Sequence, residues 1–198
     1  MGKTYRVNEI FYSLQGEGRW AGRAAIFVRF SGCNLKCPFC DTDFTSCVIM
    51  TKNDILREVV TTGNEKCKFV VLTGGEPTLQ IDEELIDGFH DHGYYVAIET
   101  NGTNLYPWNV DYVTFSPKDA YVSNGTPKIQ IADEIKVVFD GEKEIKDYDI
   151  KVQYKFVQPC DTGDKEKNRA ILDKCIEYVK EHPDWQISLQ QQKIINVR

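Results

Sequence analysis

The 198-residue chain, 41% hydrophobic, has the length of one domain over residues 1–198 with a substantial core of its own. Its 24 basic and 30 acidic residues leave a net charge of -6, which gives no electrostatic footprint for a nucleic acid. Seven cysteines, an odd number with no charged and then apolar leader ahead of them, argue against secretion and for a reducing cytoplasm, and no apolar run reaches the roughly 20 residues that a bilayer requires.

Taken in chain order, residues 24–30 (AAIFVRF) read as the first strand, rich in β-branched and aromatic side chains. Thr51 followed by Asp54 resembles a capping box, and Ile55, Leu56, Val59 and Val60 continue at helical spacing. A strand is expected at 67–72, then a helix over 82–92 with Asp82 as cap, Leu85, Ile86 and Phe89 inward and Gly93 at its end. Strands follow at 94–99, 111–115, 134–139 and 152–158. A further helix starts after Asp164, carries Ile171, Leu172, Cys175, Ile176 and Val179 and stops before Pro183, and a last strand is expected at 185–189. Several strands are apolar on both faces, and strands alternating with helices or long crossovers imply right-handed βα units and a parallel sheet.

The distinctive short sequences fall at one kind of place. SGCNLKC follows the strand ending at Phe30, TGGEP follows Leu72, TNG follows Glu99, SPK follows Phe115 and QP follows Val157. Each lies beyond the carboxyl end of a strand, where barrels and open α/β sheets bind their ligands, so they are expected to converge.

Cys33, Cys37 and Cys40 are dense thiols in a loop and read as a metal site. A closed zinc site needs a fourth ligand, for which Cys47, His90, His92 and His182 are the candidates. An iron–sulfur cluster on three thiolates instead leaves one iron open for a small molecule. Both remain open on spacing alone. Cys175 reads as a small buried apolar residue, and packing is the expected role of Cys47, Cys67 and Cys160, of which Cys160 stands beside Gln158-Pro159.

CX3CX2C with Phe39 before the last cysteine, joined by GGEP at 74–77, resembles the signature of radical S-adenosylmethionine (SAM) enzymes. The resemblance implies a [4Fe-4S] cluster on Cys33, Cys37 and Cys40 whose open iron is chelated by SAM, and reduction that cleaves SAM to methionine and a 5′-deoxyadenosyl radical. A narrower resemblance spans nearly the whole chain. FYSLQGEG at 11–18, FVRFSGCNLKCPFCDT at 27–42, LTGGEP at 72–77, ETNG at 99–102 and SPK at 116–118 are similar to the 7-carboxy-7-deazaguanine synthases of the queuosine and deazapurine pathway. That family implies an abbreviated (partial) TIM-like barrel of parallel strands with few helices. It also implies a homodimer, a flavodoxin- or ferredoxin-type electron donor, and Mg2+ beside SAM and the cluster. The implied reaction is ring contraction of 6-carboxy-5,6,7,8-tetrahydropterin to 7-carboxy-7-deazaguanine with loss of ammonia, SAM being regenerated.

Carried over by that resemblance, Leu14, Gln15, Gly16, Arg29 and Thr100 contact the substrate, Arg29 meeting its carboxylate; a guanidinium in an otherwise apolar strand suits a bidentate grip. Phe39, Cys40, Asp41, Gly74, Gly75, Glu76, Gly102, Ser116, Pro117 and Lys118 belong to SAM, and Thr42 to Mg2+. In this reading Gly74 and Gly75 let the backbone approach the methionine ammonium group, and Glu76 adds a carboxylate. No side chain is singled out for proton transfer.

The chain departs from the family at its carboxyl end, where QQQK at 190–193 replaces a stretch resembling QTHK and Gln192 stands where a substrate-contacting histidine is expected. Glutamine keeps hydrogen bonding but cannot become a cation near neutral pH. Two other readings fit part of the pattern: a radical SAM activase that installs a glycyl radical on a partner protein, and a zinc-stabilised binding module without catalysis.

Overall fold

The computed structural model describes residues 2–197. Its elements in chain order are β1 (Thr4–Leu14), a 3-10 turn (Gly18–Trp20), β2 (Ala24–Phe30), β3 (Val48–Thr51), α1 (Lys52–Thr62), β4 (Phe69–Gly74) and a second 3-10 turn (Pro77–Leu79). There follow α2 (Glu83–Asp91), β5 (Tyr95–Thr100), β6 (Tyr112–Phe115), β7 (Glu134–Phe139), β8 (Tyr154–Pro159), α3 (Lys165–Glu181), β9 (Trp185–Ile187) and the single turn α4 (Gln191–Ile194). The nine strands form one sheet in the order β3-β1-β2-β4-β5-β6-β7-β8-β9. From β2 to β9 every pairing is parallel, and β1 pairs antiparallel with β2 and β3. The architecture is the abbreviated TIM-like barrel that the sequence implied.

Its helices form where the sequence supplies caps. Thr51 and Asp54 make a reciprocal capping box, and Asp82 and Asp164 accept from backbone N–H groups in the first turns of α2 and α3. Ile55, Leu56 and Val59 bury one face of α1, whereas Val60, expected on that face, is 47% exposed. Cys175 is fully buried in α3. Outward-facing Ile26, Val28 and Phe30 of β2 and Leu72 and Ile98 of the next two strands are shut from water together with Leu85, Ile86 and Phe89 of α2. Each such side chain contributes about 1.5–3 kcal/mol through burial.

The crossovers β5 to β6, β6 to β7 and β7 to β8 carry no helix. The helical coat is therefore confined to the two ends of the parallel run. No helix among the described residues is long and apolar enough to cross a membrane.

Two strands were not expected. In β1 the register slips between Val7, opposite Phe30, and Glu9, opposite Arg29. The bulge turns the odd-numbered residues from the helix-covered face, where Tyr5 meets Phe30, to the barrel interior, where Phe11 stacks on Phe27 at 5.0 Å. β3 is four residues long and forms the sheet edge.

Candidate active site

The motif-bearing strand ends do converge. A cavity of about 880 Å³ opens at the carboxyl rim and is lined by Leu14, Gln15, Gly16, Arg29, Cys33, Cys37, Phe39, Cys40, Asp41, Thr42, Gly74, Gly75, Thr100, Ser116 and Lys118. Its volume is in the range of small-molecule sites. Gln158, Pro159 and Cys160 border it from the end of β8, and Gln190, Gln192 and Lys193 from the carboxyl-terminal turn.

Glu76, Gly102 and Pro117 do not border it. Glu76 is 1% exposed, and its carboxylate accepts from the Thr78 amide and hydroxyl, the Thr100 hydroxyl at 2.7 Å and the Asn101 amide at 2.7 Å. It thereby clamps the loop after β5 to the loop after β4. Gly102 has φ +74°, and a Cβ there would lie 2.4 Å from the Phe115 ring. The glycine pair has a similar cause. A Cβ on Gly74, at φ +127°, would meet the Phe30 carbonyl at 2.2 Å, and one on Gly75 would meet the Gly32 carbonyl at 2.1 Å. Gly75 N and Glu76 N donate to the Phe30 and Gly32 carbonyls, both at 3.0 Å, so the backbone after β4 lies directly against the root of the cysteine loop.

That loop is further tied by Asn34, whose amide donates to Thr103 at 2.7 Å and whose side-chain oxygen accepts from Asn101 at 3.2 Å. Phe39 packs edge-on against Tyr121, their ring centroids 4.7 Å apart. Burial raises the Cys33 and Cys37 thiols above their ordinary values, with Lys118 opposing. Burial also brings the Lys118 ammonium down to about 8, and Lys118 donates to the Ser116 hydroxyl at 2.5 Å. Arg29 donates from Nε to Glu9 at 2.8 Å, which leaves the rest of its guanidinium to the cavity.

Beneath the rim runs a buried polar network. Lys136 of β7, 4% exposed, donates to Glu17 at 2.7 Å and to Glu99 at 2.9 Å. Gln15 donates to Glu99 at 3.0 Å, and Gln190 and Gln192 donate to Glu17 at 3.0 and 3.2 Å. Glu134 anchors the turn that carries Glu17, accepting from the Arg19 amide and Tyr112 hydroxyl, both at 2.9 Å. Glu17, Glu134 and Lys136 were missed by sequence reasoning, which placed Glu99 at a strand end within ETNG but gave it no role. Period-2 alternation along β5 and β7, placing Glu99 and Lys136 on the face opposite Ile98 and Val137, was the available signal.

The three cysteines supply soft ligands at one cavity wall, beside a lysine of complementary charge, and this donor set fits an iron–sulfur cluster. Among the described residues a closed zinc site finds no fourth cysteine or histidine beside this loop. His90 bonds Asp111, His92 bonds the Gly88 carbonyl, His182 stacks on Tyr178, and Cys47 does not border the cavity. No group of three or more His, Cys, Asp or Glu among the described residues is gathered to hold a single metal ion.

A parallel barrel with such a loop after its first parallel strand is the framework of a radical SAM enzyme, and residues 27–120 match the Radical SAM superfamily model. Over 194 residues the chain is 46% identical to the 7-carboxy-7-deazaguanine synthase of Bacteroides thetaiotaomicron, covering 98% of each chain. It is 38% identical over 217 residues to that of Caulobacter vibrioides, covering 98% of this chain and 99% of the relative. The crystal structure of QueE from Escherichia coli superposes with a TM-score of 0.72 at 26% identity, over 95% of this chain and 94% of that one. The chain belongs to the 7-carboxy-7-deazaguanine synthase family.

Proposed function

We infer that the protein is a radical SAM carbon–nitrogen lyase that contracts 6-carboxy-5,6,7,8-tetrahydropterin to 7-carboxy-7-deazaguanine with loss of ammonia, in deazapurine biosynthesis. Near full-length identity to synthases of that name supports this reading. The observation that carries it to the site is that the cysteine triad and the side chains assigned to the pterin border one cavity. The activase reading needs a groove for a polypeptide, and neither it nor the zinc module has such support.

Cys33, Cys37 and Cys40 would hold the [4Fe-4S] cluster, which with SAM would supply the radical chemistry of the reaction. Phe39, Asp41, Gly74, Gly75, Ser116 and Lys118 line the space assigned to SAM, and Thr42 that of Mg2+. Glu76, Gly102 and Pro117 act through the loops they shape, Glu76 by fixing Thr100. Arg29 presents its free guanidinium nitrogens to the substrate carboxylate, and Gln15 and Thr100 bind polar groups of the pterin. Gln192 takes the histidine's place with a neutral amide whose nitrogen donates to Glu17 and whose oxygen is buried against Gly16. The domain spans residues 1–198. The protein works in the cytoplasm as a homodimer and draws electrons from a flavodoxin- or ferredoxin-type donor.

The test is anaerobic. Protein reconstituted with iron and sulfide, reduced and supplied with SAM and 6-carboxy-5,6,7,8-tetrahydropterin forms 7-carboxy-7-deazaguanine by mass spectrometry, and Cys37→Ala forms none. SAM cleavage without that product would overturn the substrate assignment.

A further inference from the structure

Ring contraction with loss of ammonia requires proton transfer: the departing amino nitrogen gains a proton, and the ring that becomes aromatic sheds one. Glu17 and Glu99 face one another across the single ammonium of Lys136, and both border the cavity. Two carboxylates and one cation in a largely enclosed network leave a negative charge unmatched, and a proton settles on the carboxylate with the weaker support.

Hydrogen bonding decides which one that is. Glu17 accepts from Lys136 and from two amides, Gln190 and Gln192, whereas Glu99 accepts from Lys136 and from Gln15. The remaining charge near Glu99 is Glu134 on β7, which disfavours a second anion. The flanking strands place Thr73 of β4 and Thr114 of β6 at its level, neither of them charged. Burial, reinforced by Glu134 and Glu17 and opposed by Lys136, raises the Glu99 carboxyl to about 7. Burial acts on Glu17 as well, but Lys136 and the two amides outweigh it and draw that carboxyl below its ordinary range.

We propose that Glu99 is the proton-transfer residue of the ammonia-releasing half of the reaction. The C–N bond breaks with its electron pair on nitrogen, the nitrogen takes the Glu99 proton, and ammonia leaves. The Glu99 carboxylate, matched by Lys136, then takes a ring C–H proton whose bonding pair becomes the new ring double bond. The carboxyl ends as it began, and nothing is oxidised or reduced in these steps. Gln15 fixes the plane of the carboxyl from the substrate side, and Lys136 is a positioning residue.

The proposal rests on the function inferred above, and product formation by the wild-type protein tests that function separately. Glu99→Gln keeps the shape and removes the titrating proton. It is assayed with substrate deuterated at C6, reading deuterium entering SAM and ammonia released, with iron content and thermal midpoint as controls. Deuterium transfer should stay within about threefold of wild type while ammonia release falls roughly 100-fold, and Glu99→Asp should restore part of it. Ammonia release within about threefold of wild type would overturn the proposal. So would an equal fall of both readouts at unchanged iron content, which would make Glu99 an orienting group, or a Glu99→Asp variant no better than Glu99→Gln.

Discussion

The two ends of the barrel interior are built by the same strands and differ in what they place there. At the amino end Trp20 packs against Phe69, Tyr95 and Tyr112 with ring centroids 5.7, 6.1 and 5.5 Å away, and the Arg23 guanidinium lies over Trp20 at 4.7 Å and Phe69 at 4.5 Å. Moving toward the carboxyl end by steps of two, β4 reads Phe69, Val71, Thr73, β5 reads Tyr95, Ala97, Glu99, and β6 reads Tyr112, Thr114 and continues to Ser116 just past its end. Each inward ladder passes from aromatic through small to polar. The aromatic end excludes water from below, and the resulting low dielectric makes the Glu17–Lys136–Glu99 network electrostatically strong and shifts its proton affinities. Packing at one end sets the chemistry available at the other.

Substitutions at the two ends should therefore separate activity from stability. The largest effect is expected from Gly75→Ala at the rim, where the added Cβ would stand 2.1 Å from the Gly32 carbonyl and 3.0 Å from the Cys33 Cβ. Reconstituted protein should lose most of its cluster absorbance and its product while its far-ultraviolet circular dichroism is unchanged; full iron content would show that the crossing of the two backbones does not place the cysteine loop. Trp20→Ala at the opposite end should leave cluster binding intact and lower stability by about 3–5 kcal/mol. For a chain of this length that is roughly a 10 °C fall in thermal midpoint. Trp20→Phe should recover much of the loss, since the indole Nε1 is buried without a partner.

Much of this organisation was readable in the sequence, and the failures have physical causes. The capping pairs Thr51–Asp54 and Asp82–Leu85 and the strand Glu134–Phe139 stand where patterning puts them, because cap chemistry and β-branched runs act locally. β1 was hidden by its bulge. Tyr5, Val7, Glu9 and Phe11 alternate without interruption in the sequence yet lie on two faces, so one period describes neither. The cysteine loop, Arg29, Thr100 and Lys118 were legible as motif residues at strand ends. Glu76 was legible as important, but a carboxylate with four donors of its own serves the loops around it, and only coordinates show where those donors are. The Glu17–Lys136–Glu99 network joins residues 37 and 119 positions apart, and no local pattern reveals such a pairing.

A smaller effect, of opposite sign to the loss of activity, should follow from Glu99→Gln. The Glu99 carboxyl is raised from 4.5 to about 7 on folding, so its contribution is fully present below pH 4.5 and is lost as pH rises through 7. Removing the group should thus raise stability at pH 8 by on the order of 1–2 kcal/mol and change little at pH 5. Urea melts at the two pH values would measure it, and an equal gain at both would mean that packing rather than charge separates the variant from wild type.

The smallest effect belongs to the rim's outer edge. Lys193 bridges Asp41 of the cysteine loop at 2.7 Å and Asp161 after β8 at 2.8 Å, with its side chain 38% exposed. The Lys193 ammonium, the Gly163 amide and Asn168 hold the Asp161 carboxyl well below the usual carboxylate range. At such exposure, solvent and side-chain entropy offset most of the attraction, so Lys193→Ala should cost less than about 1 kcal/mol, and less again in high salt. Hydrogen exchange would then quicken in the segments around Asp41 and Asp161 and leave the Trp20 cluster untouched. A fall in stability as large as that of Trp20→Ala would instead make the carboxyl-terminal turn part of the core, and the two ends of the barrel would no longer divide stability from function.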